Sequence, residues 1–473
     1  MGTHRISYAS DLGWANGEAP SALAGAPASH DPDNSDGIDI FRSIGELRSG
    51  FSSTEIGGAT VTDNITNMRL GSVYDGVTAT RELFAYGSSG RFYRITDAAT
   101  PAVTLIDTVA NNADGLEIYK NFVYYAQTTQ IGRYGSIAAA SPTSTNAFIT
   151  GLTATVKGTT IKHPLMNWND LLWIGDSNLL KYTDGTTGTG TTIMTLMSDL
   201  TITALAENGP LLLIGAGQEQ VEDTESKVQA WLFTRNSAYS SGITTNAPTD
   251  AFKFPEPYIH KIAVVEGSIY VFGLHYLYKL VGSTFKIVTK LDTRIATDGA
   301  DVRQGQLYFK GSGDIRAIGT PDPQLPSARY RPYASTGTSI TAIKWMQDAK
   351  LWVADNNDLN EFKTGSATAV TWRSRIINFG QVEAVEEIRI YTAANLASGD
   401  DVRVQIINEV GTATDAATFD FATYGAVNSL ILRAHNLTNA VAHLTSMQIG
   451  VKFQGGAARV KEVIVITKPV SQP

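Results

Sequence analysis

The residues best suited to proton transfer or metal binding near neutral pH are seven histidines: His4, His30, His163, His260, His275, His435 and His443. They are scattered without metal-ligand spacing, and no His-Glu-x-x-His stretch occurs, so each reads as a surface or packing residue. Nucleophile elbows of the Gly-x-Ser-x-Gly kind and P-loops are absent. The pairs Gly215-Ala216-Gly217 and Gly311-Ser312-Gly313 fall at the ends of apolar strands and read as turn glycines. Asp176, Asp314 and Asp355 fall in polar turns, where Asp bonds the local backbone. Asp31, Asp33, Asp36 and Asp39 have the carboxylate density of a calcium loop. Gly37 comes one place late for an EF-hand and no closing Glu follows, so the cluster reads as a solvated acidic turn. The sequence therefore assigns no catalytic, cofactor-binding or metal-binding residue, and the expectation is a protein that is not an enzyme and needs no cofactor.

What would position such residues is a repeated unit. A short apolar strand, a turn of Gly, Ser, Asn or Asp, and a second strand with an aromatic begin at Leu83, Phe122, Leu171, Leu211, Ile269, Leu307 and Leu351. Another short strand precedes most copies, as in NMRLGSVYDG, TITALAENG and HKIAVVEGS. An apolar run follows others, as in AVTLIDTV (102–109) and TFKIVTKL (284–291). Four antiparallel strands per unit of about 40–50 residues predict the blades of a β-propeller. The copies give seven blades; a six-bladed ring with one degenerate unit is the alternative, because the Leu211 copy lacks its second strand where expected. QAWLFTRNSAY, inside the insertion 218–258, would be that displaced strand, and 319–335 is a Pro-rich connector unsuited to a central strand. Trp173, Trp231, Trp345 and Trp352 fall on or beside blade strands and read as core or inter-blade packing.

From about Thr371 the pattern changes. Seven short strands, WRSRIINF, AVEEIRIYTA, DVRVQII, ATFDF, SLILRA, SMQIGVKF and RVKEVIVIT, predict a β-sandwich or jelly roll. The expected organisation is an N-terminal arm and ring-entry segment (1–59), a propeller (60–370) and a C-terminal sandwich (371–473), all β. The N-terminal run or residues 368–378 should supply the outer strand that closes the ring, and the arm should order only against a neighbour.

Composition narrows the partners. Only 17% of the 473 residues are charged, against roughly 25% in average soluble domains, which suits a surface packed against neighbours. The net charge is −8, and residues 371–473 carry nine basic and nine acidic side chains, so residues 1–370 hold all of it. Without a basic cluster, sequence-specific nucleic-acid binding and attraction to anionic membranes are disfavoured. Cysteine is absent, which removes disulfides and thiolate metal sites. No secretory signal or apolar run long enough to span a bilayer stands out, so synthesis in the cytoplasm without membrane insertion is expected.

The ring-entry stretch GIDIFRSIGELRSGFSSTEIGG (37–58), the blade phrase LFAYGSSGRFYRI and the C-terminal WRSRIINFG…VEEIRIYTA…SGDDVRVQI resemble tail-associated β-propeller proteins of bacteriophages. Their nearest types are nozzle, tail-adaptor and tail-tip proteins. The resemblance implies a structural virion protein made in the host cytoplasm, multimeric around or near the DNA path, with copies of itself and other tail proteins as partners. It carries over no catalytic residue. A propeller module that binds a host surface glycan or receptor is the alternative, and a glycan hydrolase is a second. The Ser-x-Asp-x-Gly-x-Thr-Trp turn of sialidase propellers does not occur.

Overall fold

The seven apolar runs that head the repeats all lie within second strands of four-stranded antiparallel sheets. Those strands are nearly continuous in burial: Phe122–Gln127, Leu171–Asp176, Leu211–Gly217 and Leu351–Asp355 are covered along almost their whole length. A strand covered on both faces needs apolar residues at successive positions, which is why these runs dominate the sequence pattern. In the computed structural model, described residues are 4–9, 38–39, 47–49, 51–56 and 61–470, less 75–78, 99, 110–111, 138, 140–141, 219–228, 237–246, 312–314, 320–327, 331–338, 347–349, 356–357, 365–369, 375 and 438–443.

The chain makes a seven-bladed β-propeller and a second, smaller β unit. The first blade is Ile65–Tyr74, Ala79–Gly87, Arg91–Thr96 and Val103–Thr108, paired in chain order. The second to sixth blades repeat that order, starting at Asn112, Leu165, Thr201, Lys261 and Ala300. The seventh joins Ile340–Trp345, Leu351–Asp355 and Asp358–Thr364 to Phe51–Glu55, a strand from the other end of the chain. The expected ring closure by the N-terminal run is thus observed, and residues 368–378 do not supply it. First strands touch in a closed cycle, the seventh blade's against the first's, which establishes the ring and its count.

The displaced strand of the fourth blade is Trp231–Asn236, paired along Leu211–Gly217 from Ala216↔Trp231 to Leu211↔Asn236. Within the Pro-rich connector, Ala328–Tyr330 pairs with Ile315–Gly319 as the outermost strand of its blade, where missing amide donors are tolerated.

The propeller core lies between blades. Trp352 packs with Leu83, Tyr93 and Ile95 across the seventh and first blades. Phe84, Tyr86 and Phe92 meet Val123, Tyr125 and Tyr134 across the first and second. Trp168 and Trp173 meet Leu212 and Ile214 across the third and fourth. Close approach of neighbouring blades explains the glycine shared by the Leu171 and Leu211 phrases. A Cβ on Gly175 would lie 2.8 Å from Ile202 Cγ2, and one on Gly215 would lie 2.8 Å from Ile259 Cγ2.

The second unit is a curled, sandwich-like ten-stranded sheet. Its strands Ile377–Thr392 and Leu444–Gly455 pair with each other and each carries further partners, so the sheet folds over itself around Val385, Ile390, Val404, Phe419, Ile449 and Val465. Six of the seven sequence-read strands match single strands here. The seventh, WRSRIINF, divides between Val370–Arg373 and the start of Ile377–Thr392, which continues through AVEEIRIYT. Three N-terminal strands, His4–Ala9, Ile38–Asp39 and Leu47–Ser49, also belong to this sheet. His4–Ala9 and Leu47–Arg48 pair with Arg459–Pro469. The one α-helix described, Phe421–Tyr424, is a single turn whose first amides are capped by Asp420, with Thr423 N donating to Asp420 Oδ1 at 2.7 Å.

Candidate functional site

First strands touch around the ring, and charges on them and on the segments that lead into them pair from blade to blade. Arg69 Nη1 donates to Asp298 Oδ2 at 2.6 Å, and Met68 N donates to the same oxygen at 2.8 Å. Lys261 Nζ reaches Asp298 Oδ1 at 3.2 Å and the Thr297 carbonyl at 2.7 Å. Asp298 therefore joins the first, fifth and sixth blades. Asp114 plays the same part on the other side of the axis, accepting from Lys162 Nζ at 2.5 Å and Thr297 Oγ1 at 2.6 Å. Arg69 Nε also meets Glu117 Oε2 at 3.4 Å, and Lys344 Nζ meets Asp301 Oδ1 at 3.1 Å.

Four cations (Arg69, Lys162, Lys261, Lys344) stand among four carboxylates (Asp114, Glu117, Asp298, Asp301), so the cluster neutralises itself. Burial pushes the Asp298 carboxyl up, but Arg69, Lys261, the Met68 amide and Lys344 outweigh it and bring it down to about 2. Burial lowers Lys261 despite Asp298, and raises Glu117 despite Arg69. These groups are spent on one another, and the geometry is that of an interblade tie.

Beside the tie lies a cavity of about 50 Å³, lined among others by Asp114, Thr203, His260, Lys261 and Thr297. Asp114 Oδ1 and His260 Nε2 are buried there without a hydrogen-bond partner among the described residues. The volume admits a few water molecules, which could serve both atoms. Burial, reinforced by Lys162 and Arg294 and opposed by Asp114, takes the His260 imidazole down to about 3. The folded state thus holds the ring neutral while the unfolded chain protonates near pH 6.5. Stability from this group is full above pH 6.5 and is lost as pH falls toward 3. We expect His260→Gln to remove about 1–2 kcal/mol of the destabilisation between pH 7 and pH 5. Urea midpoints of both proteins at the two pH values check this; an unchanged difference would show that His260 is not held neutral.

The other residues raised by the sequence are placed apart from the axis. His163 is fully buried, its ring nitrogens 3.1 Å from the Gly175 carbonyl and 3.0 Å from the Thr128 carbonyl, and it bridges two blades. His275 and His435 are exposed, and His4 lies in a strand. His30, His443, Asp31, Asp33, Asp36, Asp314, Ser312 and Gly313 lie outside the described residues. Asp176 is buried, receives Lys181 Nζ and the Thr153 amide, and so fixes a neighbouring loop instead of its own turn. Asp63 and Glu256 show the same use of carboxylates. Asp63 accepts from Ser89 N and Arg91 N, and Glu256 from His275 N, Tyr276 N and Tyr278 Oη, each pinning a hairpin turn of its blade. Trp173 and Trp352 are 1% and 0% exposed, Trp345 is buried and Trp231 half-buried. Among the described residues no group of three or more His, Asp or Glu is placed to hold a metal. No helix is long and apolar enough to cross a membrane among them.

The axial charges escaped the sequence reading, although Arg69 and Lys261 stand inside the quoted stretches NMRLGSVYDG and HKIAVVEGS. Lys162 and Asp298 lie just ahead of their first strands, and the fourth blade adds no charge to the cluster, so no fixed strand position marks these residues.

No protein-family model matches the sequence, and no curated protein matches it. Among solved structures, the chain is similar to the WD40 β-propeller domain of Doa1, at 10% identity over 67% of this chain and 97% of that one, with a TM-score of 0.43. YCF48 bound to D1 peptide is similar at 8% identity over 71% and 99%, TM-score 0.46. A streptogramin B lyase is similar at 9% over 66% and 98%, TM-score 0.44. All are far below the identity at which function transfers.

Proposed function

We propose that this chain is a structural protein of a bacteriophage tail, of the nozzle, adaptor or tip kind, that works as a multimer and performs no catalysis. The observation that carries the reading is the outer edge of the first three blades. Outer strands Val103–Thr108, Thr143–Thr150 and Thr191–Thr195 read VTLIDT, TSTNAFIT and TTIMT, with Asp107 as their one charge. They are largely exposed, Leu105 at 47%. Soluble proteins that stay apart blunt such edges with charge, Lys above all, or with Pro. The fifth blade does so, carrying Lys286 and Lys290 on Thr284–Lys290. One arc of the ring therefore carries a single charge, Asp107, and suits burial against copies or tail neighbours, while another is guarded.

The acidic balance of residues 1–370 suits a wall past which DNA slides, since it repels phosphates. The burial of Trp173 and Trp352 speaks against sugar stacking by those residues. Native mass measurement of the purified chain and immunogold labelling of particles test the proposal. A multimer and label confined to the tail are expected. A monomer at high concentration, unlabelled particles, or turnover of a glycan panel would each overturn it.

A further inference from the structure

We propose that the strand His4–Ala9 is exchanged between copies of this chain, each copy lending it to the Arg459–Pro469 edge of a neighbour. The inference rests on the multimeric reading above and says how the copies are joined.

Arg459–Pro469 is held on one side by Ile377–Thr392. Its other side is filled by two separate pieces of the N-terminal region, Leu47–Arg48 at residues 459–460 and His4–Ala9 at residues 462–467. The His4–Ala9 ladder runs without a register break from His4↔Thr467 to Ala9↔Glu462. Ile6, 2% exposed, stands opposite Val465, which is fully buried. The strand therefore completes a core and covers an edge that would otherwise present unpaired amides and carbonyls.

Nothing in those contacts depends on the strand belonging to the same chain. Residues 10–37 separate it from Ile38–Asp39, and 28 residues span up to about 90 Å when extended. Seventeen of the 28 are Ala, Gly, Ser or Pro, and five are carboxylates with no Lys or Arg. That composition carries no apolar period that would tie the strand to its own sheet. That reach covers the same edge on an adjoining copy as well as on the strand's own sheet. Exchange then links copies through a backbone ladder already encoded in the fold, at little cost in free energy.

The chain has no cysteine, which makes a clean test available. Arg5 and Ile466 are directly opposed, and such pairs have Cα separations within the range a disulfide bridges. One tagged copy carrying Arg5→Cys and a differently tagged copy carrying Ile466→Cys are co-expressed, assembled and oxidised. A covalent dimer bearing both tags is expected as the main crosslinked product, with far less dimer of either copy alone. The double variant in one chain should give dimers and longer ladders. Ser7→Cys with Ile464→Cys repeats the test at a second register pair, should the first disturb folding. If native mass shows a multimer but the double variant crosslinks only within single chains, exchange is overturned and the multimer stands. If native mass shows a monomer throughout, the multimeric reading itself falls, and exchange with it.

Discussion

Asp298→Asn should cost about 3–5 kcal/mol of propeller stability, the range for breaking one side of a buried ion pair. Asp298 is only 5% exposed at its side chain and accepts from Arg69, Lys261 and the Met68 amide at once. The amide keeps the shape and can still accept from Met68 N, so the loss reads the charge. It leaves Lys261, which burial already disfavours as a cation, with the Thr297 carbonyl as its remaining close contact. Lys344→Met should cost about 1 kcal/mol or less, because that pair is more exposed, with 25% of the Lys344 side chain open to solvent. Urea unfolding by linear extrapolation at pH 7 measures both. The parent should also lose stability as pH falls from about 4 to about 2. A carboxyl held below its unfolded value stabilises above that value and stops doing so once it is protonated in the fold. The Asn variant should lack that component. A loss under about 1 kcal/mol for Asp298→Asn would mean that water serves these cations as well as the carboxylate does, and the axis would not be a tie.

What was legible in the sequence follows what each strand faces. Second strands are covered on both sides, so Phe122–Gln127 and Leu211–Gly217 announce themselves as apolar runs and their spacing gives the ring. Outer strands are covered on one side at most. Those with alternating apolar residues, Val103–Thr108 and Thr284–Lys290, were readable. Thr143–Thr150, whose Ser, Thr and Asn also suit turns, was not. The axial cluster was hidden for a different reason. Arg69, Asp114, Lys162, Lys261 and Asp298 lie up to 229 residues apart in the chain, and only the closure of the ring brings Arg69 against Asp298. Arg69, Asp114 and Lys261 look like the polar half of an ordinary strand alternation, and Lys162 and Asp298 like connector residues ahead of a strand. Asp176, read as bonding its own turn, holds the Thr153 amide for the same reason, a partner 23 residues away in the chain.

The closing strand was expected only as a topological need, because FSSTE has no apolar alternation of its own, yet it should be the most costly segment to lose. Ile56 follows it directly, is 3% exposed, and packs with Trp352, Leu359 and Tyr93 at the junction of the seventh and first blades. Its amide donates to the Leu359 carbonyl at 2.7 Å. A closed ring of blades differs from an open stack in that no blade is terminal, so opening one junction exposes two inter-blade faces. Two truncations isolate the effect. Removing residues 1–50 takes away every N-terminal strand of the second unit but leaves Phe51–Glu55 and Ile56; removing 1–56 takes those as well. Both lack the same edge strands of the second unit, so the difference between them belongs to the propeller. It should exceed the about 2–5 kcal/mol that a buried Ile→Ala alone costs, because the outer ladder of the seventh blade goes with it. Ile56→Ala in the full chain should fall within that range and gives the side-chain share separately. Calorimetry should show the propeller transition of the 1–50 truncation unmoved and that of the 1–56 truncation shifted far down or lost. Equal melting of the two truncations would mean that the first and seventh blades hold together without the strand, and that the closure is decoration on a ring already sealed by its first strands.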